Sequence, residues 1–129
     1  MAHQNVDLLN RGYDAFEKGD LDTLRQLFTE DIAFHVPGRS QVAGDYRGQD
    51  EVFGFFGRLV ELTGGSFKIE RHHVLADDSH GSVLSTTTAQ RDGKNLSVKG
   101  VDVFHFQGDR VSEIWTFVDD QYADDEFFG

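Results

Sequence analysis

KNLSVKGVDVFHFQGDRVSEIWTFVD, residues Lys94 to Asp119, carries the clearest structural signal in the chain. β-Branched and aromatic runs flank Gly108-Asp109, the pattern of two strands joined by a tight hairpin turn. Side chains alternate across a strand, so Asp102, Phe104 and Phe106 share one face while Val101, Val103 and His105 share the other. Both faces are largely apolar. The single carboxylate inside the first strand, Asp102, is therefore either partnered or pushed toward its neutral form, because an unpaired buried carboxylate is very costly. The loop length decides what lies opposite it. A two-residue loop sets Trp115 across from Asp102, and a three-residue loop sets Ile114 there.

Working back from this hairpin, the period of two extends to Ser66. Strands are expected at about Phe67–Ala76, Val83–Arg91, Leu96–Phe106 and Val111–Asp119, separated by Asp77-Asp78, Asp92-Gly93 and Gly108-Asp109. Before Ser66 the period is mostly helical. Val6, Leu9, Tyr13 and Phe16 form one stripe of a helix over Val6–Lys18, ended by Gly19. Asp20 is a good N-cap for a second short helix that carries Leu21, Leu24, Leu27 and Phe28 inward. A strand over Ile32–Val36 stops at Pro37-Gly38, and Arg39–Gly48 reads as a loop. A third helix starts near Gln49 and buries Val52, Phe53, Phe56, Leu59 and Val60 before Gly64-Gly65 ends it. Helices followed by an antiparallel meander give an α+β domain of one unit, residues 1–129. A strongly curved sheet with the helices on its concave side would enclose a pocket. Asp120 to Gly129 is acidic but ends on Phe127-Phe128, which suggests docking rather than free solvation.

The bulk numbers narrow the partners. A formal net charge of −11 repels nucleic acid phosphates and anionic lipid headgroups, so neither nucleic acid nor membrane is expected as a partner. There is no cysteine, which removes disulfides, thiolate catalysis and thiolate metal sites. The start, MAHQNVDLLNRGYDAF, is charged and amphipathic without the apolar core of a signal peptide, and no apolar run approaches membrane-spanning length. A cytoplasmic location is the expectation. His72, His73, His80, Asp77 and Asp78 are the only temptation toward a metal site. Adjacent strand residues point to opposite faces, so His72 and His73 do not share an ion easily, and no closed ligand spacing occurs. No phosphate-cradling glycine loop or nucleophile elbow is present either. Neither metal nor cofactor is expected.

Three phrases, GYDAFEKGDLDTLRQLFTEDIAFHVPG, AGDYRGQDEVFGFF and GVDVFHFQGDRVSEIWTFVDDQYADDEFF, cover most of the chain. In their order and wording the chain resembles the nuclear-transport-factor-2-like superfamily, and within it the SnoaL-like group with its polyketide cyclases and ketosteroid isomerases. The resemblance implies a cone-shaped α+β barrel: a strongly curved antiparallel sheet with three N-terminal helices enclosing a deep hydrophobic pocket. It also implies a homodimer formed through the outer sheet face, to which Val101, Val103 and His105 would contribute. By the same resemblance, the position of Asp102 carries the acid/base Asp of the cyclases and the oxyanion-binding Asp of the isomerases.

The candidates follow, with their departures from that pattern. Tyr13 would place its hydroxyl in the pocket as an isomerase tyrosine does, yet it falls one residue from that position, a rotation of about 100° on the helix. The isomerase base is an Asp where this chain has Val36. His35 beside it has a pKa suited to proton transfer, but Ile32, Phe34 and Val36 form the apolar side and His35 points the other way. The strand before Asp102 reads VLSTTTA, without the cyclase His or the Arg and Asp of the related epoxide hydrolases. Phe16, Val36, Phe56, Phe104 and Trp115 are expected as apolar walls. Two readings stand. One is a cofactor-free acid/base isomerase or cyclase acting on a carbonyl-containing ring compound, with Asp102, His35 and Tyr13 as catalytic groups. The other is a non-catalytic ligand-binding or protein-interaction module.

Overall fold

Caps and glycines set the helical half of the fold. In the computed structural model, which describes residues 3–129, α1 spans Gln4–Lys18. It ends at Gly19, whose positive φ of 69° suits a residue without a Cβ. Asp20 caps α2, Leu21–Leu27, by accepting the Thr23 N–H at 3.1 Å. Phe28 does not continue that helix as its spacing suggests. It opens β1, Phe28–Val36, and stays buried there. The loop expected over Arg39–Gly48 contains a short strand, β2, at Gly44–Arg47. Helix α3, Gln49–Leu62, buries Val52, Phe53, Phe55 and Leu59, whereas Val60 is 49% exposed. The apolar stripe is thus rotated toward Phe55, which stacks on Tyr46 of β2 at 4.6 Å between ring centroids.

Four long strands follow: β3 Lys68–Ala76, β4 His80–Arg91, β5 Lys94–Gln107 and β6 Arg110–Val118. They form the expected antiparallel meander, but the complete sheet is mixed. Its order is β2-β1-β6-β5-β4-β3, and β1 lies parallel to β6. The sheet is curved and does not close, because β2 and β3 remain as its two edges. The α+β fold with a strongly curved sheet is as expected, and the parallel ladder, β1 with β6, is the feature that the strand pattern does not announce. The reason is physical: parallel and antiparallel partners impose the same period of two on a strand, so patterning does not reveal which way a distant strand runs. No helix among the described residues is long and apolar enough to cross a membrane.

A fourth helix, α4 Gln121–Phe127, completes the fold beyond the three N-terminal ones. Phe127 and Phe128 are each 3% exposed, so the aromatic tail docks as expected. The tail is held on two sides. Arg91 donates to the carbonyls of Phe127 and Gly129, while the Arg39 N–H donates to the Asp125 carboxylate at 3.0 Å. Helices α1 and α3, strand β1 and the inner face of the sheet share one hydrophobic core around Ile32, Val52, Val83 and Val111.

Glycines on the two layers respond oppositely to a methyl group. A Cβ at Gly100 in β5 would lie 2.6 Å from the Phe117 carbonyl oxygen, whereas one at Gly57 in α3 meets nothing within 4 Å. Gly100→Ala is expected to destabilise by roughly 1–3 kcal/mol through overpacking. Gly57→Ala is expected to stabilise by about 0.5–1 kcal/mol through helix propensity. Urea melts of the two variants test both signs.

Candidate functional site

Tyr13 and Asp102 are separated by 89 positions, yet the fold brings them into contact. The α1 stripe faces the sheet, and Tyr13 leaves it with its ring edge-on to Phe104 at 6.2 Å between centroids. Its hydroxyl donates a hydrogen bond to Oδ2 of Asp102. The Arg71 guanidinium lies 5.5 Å from the ring centre of Tyr13 and donates to Asp14 at 2.7 Å and to the Asn10 carbonyl at 3.1 Å. These contacts fix α1 over β3 and β5, so the tyrosine has one direction to point.

The carboxyl and the phenol face a cavity of about 150 Å³ between the helices and the inner sheet face. Phe16, Val36, Phe56 and Phe104 line it, together with Phe34, Phe55, Ile114 and Val118. Two of the expected site residues do not reach it. Register explains why: Gln107 pairs with Arg110 across the two-residue turn, but the ladder then slips, and His105 pairs with Glu113. Ser112 is the extra residue. Asp102 consequently faces Thr116, neither Trp115 nor Ile114. Ile114 and Thr116 point into the cavity, and Trp115 turns to the outer face.

His35 is on that outer face as well. Its ring stacks on Trp115 at 5.2 Å and is held between Asp45, 2.7 Å from Nδ1, and Glu113, 2.6 Å from Nε2. Burial works to lower its pKa, but the hydrogen bonds and charges of Asp45 and Glu113 outweigh it and raise the net value. The geometry thus separates His35 and Trp115 from Asp102 by the thickness of the sheet. His72 and His73 face solvent, His72 bonding to Thr86 at 2.8 Å. No group of three metal-binding side chains occurs among the described residues.

The electrostatics of the cavity follow from its lining. Burial raises the Asp102 pKa, with hydrogen bonds from the Tyr13 and Thr116 hydroxyls working against it. Burial also raises Tyr13 well above the usual phenol value, helped by the charge of Asp102 and its hydrogen bond and opposed by Arg71. A second carboxyl, Asp124 of α4, lines the same cavity beside Gln121. Burial, with the neighbouring Asp125, pushes it to about 6. Sequence reasoning missed Asp124 and Thr116. The signal for Asp124 was available in the tail: Gln121, Asp124 and Phe128 recur at helical spacing and share one face. Thr116 carried no such signal, because only the slip at Ser112 brings it opposite Asp102.

What the protein can do chemically is set by oxygen acids in an apolar wall. Among the described residues the cavity lining contains no Lys, Arg or His, so any charge developing on a bound molecule meets hydroxyl, carboxyl and amide donors rather than a cation.

The chain has relatives at several distances. An uncharacterized protein of Mycobacterium tuberculosis is 30% identical over 126 residues, covering 96% of this chain and 95% of its own. The solved structure of Bal32a, from a soil-derived mobile gene cassette, is 43% identical with a TM-score of 0.95, over 99% of this chain and 98% of that one. At greater distance, IdmH of Streptomyces antibioticus, a putative polyketide cyclase, shares the fold at 20% identity and a TM-score of 0.75, over 91% of this chain and 93% of that one. The sequence pattern of the SnoaL-like domain family matches residues 9–114. The chain therefore belongs to the SnoaL-like domain family, as its three quoted phrases suggest.

Proposed function

We propose that the cavity binds a small, mostly apolar, carbonyl-containing ring compound, and that Asp102 and Tyr13 act on it as a cofactor-free acid/base pair, in isomerisation or cyclisation. The observation that carries this reading is the hydrogen bond from Tyr13 to Asp102 inside an apolar cavity. Burial favours the protonated form of Asp102, which accepts the Tyr13 hydrogen bond at Oδ2 and in that form has its other oxygen to donate toward a carbonyl. Negative charge growing on that carbonyl oxygen is then spread over two hydrogen-bonded acids that need no reorganisation. Phe16, Phe56 and Phe104 exclude water around them. His35 has no part in this chemistry, given its place between Asp45 and Glu113.

A binding role without turnover is the second reading. It is favoured by Val36, which lines the cavity where the related isomerases carry their base. A screen of cyclic enones and polyketide-like rings separates the two. With any compound that is turned over, Asp102→Asn is expected to lower kcat/KM by roughly 100-fold or more while its thermal midpoint stays near wild type. Tyr13→Phe should lose a smaller factor. Unchanged turnover in Asp102→Asn would end the catalytic reading.

We further propose that the outer sheet face pairs with a second copy of the chain. Leu75, Leu84 and Phe117 are exposed there at 58%, 40% and 47%, beside the half-exposed Val101, Val103 and Trp115. In a chain of net charge −11, so apolar a face is expensive to leave in water. Sedimentation should give twice the 14.5 kDa chain mass, and Phe117→Lys with Leu84→Lys should return the monomer with unchanged circular dichroism. A wild-type monomer at high concentration would exclude the pairing.

A further inference from the structure

Among the described residues the cavity lining holds two carboxyl groups and no cationic side chain. Asp102 is bonded by the Tyr13 hydroxyl and faces Thr116, but Asp124 is not comparably supported. Its side chain lines the cavity from α4, and among the described residues no ion pair reaches it. The charged groups around α4 are committed elsewhere. Arg91 is turned to the carbonyls of Phe127 and Gly129 and Lys94 to that of Glu126, while the Arg39 main chain donates its N–H to Asp125. On its own helix Asp124 has Gln121 in support and Asp125 against it. The helix cannot simply swing out to solvate the group. Phe127 and Phe128 are buried beneath it, and the Pro37-Gly38 turn is packed so closely that a Cβ at Gly38 would overlap Gln121 and Asp125. A partly buried carboxylate without a counter-charge is a standing cost that a bound cation or hydrogen-bond donor would relieve.

We propose that Asp124 is a second anchor of the cavity, and that the ligand carries an amino group, or failing that a hydroxyl, toward α4. Carboxylates and phosphates are the excluded class, since both charged-capable groups of the lining are acids. The ligand is then an apolar ring with two polar points: an oxygen acceptor met by Asp102 and Tyr13, and a donor met by Asp124. The inference rests on the reading of the cavity as a ligand pocket and adds the charge class of the ligand to it.

Three probes of one shape test it: naphthylmethylamine, naphthylmethanol and naphthoate, titrated into the intact protein by calorimetry. Above about pH 7, where Asp124 is ionised and the amine protonated, the amine should bind at least about tenfold more tightly than the alcohol, with naphthoate weakest. Asp124→Asn should bring the amine to the level of the alcohol and leave the alcohol within about twofold of wild type. Asp102→Asn should keep the preference. As the pH falls through about 6, the value to which Asp124 is pushed, the carboxylate takes up its proton and the amine preference should shrink. Equal binding of naphthoate and amine, or a preference that survives Asp124→Asn, overturns the proposal while leaving the pocket in place. A preference removed by Asp102→Asn instead makes Asp102 the anchor and overturns it too. If the alcohol does not bind at all, the pocket reading fails, and the anchor with it.

Discussion

A carboxyl group at the inner face of a sheet, with aromatic rings around it, is the constraint to which the rest of this structure answers. Leaving Asp102 unsatisfied there would cost several kcal/mol, on the order of the desolvation penalty for a buried polar group. Its hydrogen-bond partner Tyr13 comes from α1, 89 positions away, and Thr116 lies opposite it on the neighbouring strand β6. To deliver the Tyr13 hydroxyl, α1 has to lie across β5, and the Arg71 contacts to Asn10 and Asp14 hold it there. The helix thereby becomes one wall of the cavity. The same bond that satisfies the carboxyl also produces the space in front of it.

Much of this was legible in residue order. The caps at Gly19 and Asp20, the third helix and the four-strand meander follow from local rules, and the face shared by Asp102 and Phe104 follows from alternation. What alternation alone does not reveal is a slip. One extra residue at Ser112, whose hydroxyl bonds back to the His105 carbonyl at 3.3 Å, moves Trp115 from one face to the other and puts Thr116 beside Asp102. Loop length was the wrong variable to weigh, because the turn is the short one and the shift occurs after it. The ladder between β1 and β6 also becomes irregular between Phe28 and Ala33, alongside the same bulge. A serine within a strand gives no local warning of this.

The histidines show the complementary case. His35 has the right chemistry for a base and sits one residue from Val36, which does line the cavity. One residue on a strand is a change of face, and the face decides the role. On the outside His35 finds Asp45, Glu113 and Trp115, and its ring is fully used in holding β1, β2 and β6 together. His105 joins the same group, edge-on to both Trp115 and His80. Residue type pointed to proton transfer, and geometry assigns the ring to packing.

The polar groups inside come from five separate elements: Tyr13 from α1, Thr87 from β4, Asp102 from β5, Thr116 from β6, and Gln121 and Asp124 from α4. Apart from the Gln121 amide all carry hydroxyl or carboxyl groups, and that shared chemistry limits the cavity more than its shape does. With no cation in the lining, an anionic product cannot be stabilised by charge, only by hydrogen bonds from groups that are themselves neutral. Burial raises both pKa values, favouring the protonated form of Asp102, whereas Asp124, pushed to about 6, still ionises near neutral pH. The apolar walls and the acidic interior are therefore one device: the phenylalanines that exclude water are what shift both aspartates upward, Asp102 toward the protonated form and Asp124 to a carboxyl that ionises only near neutral pH.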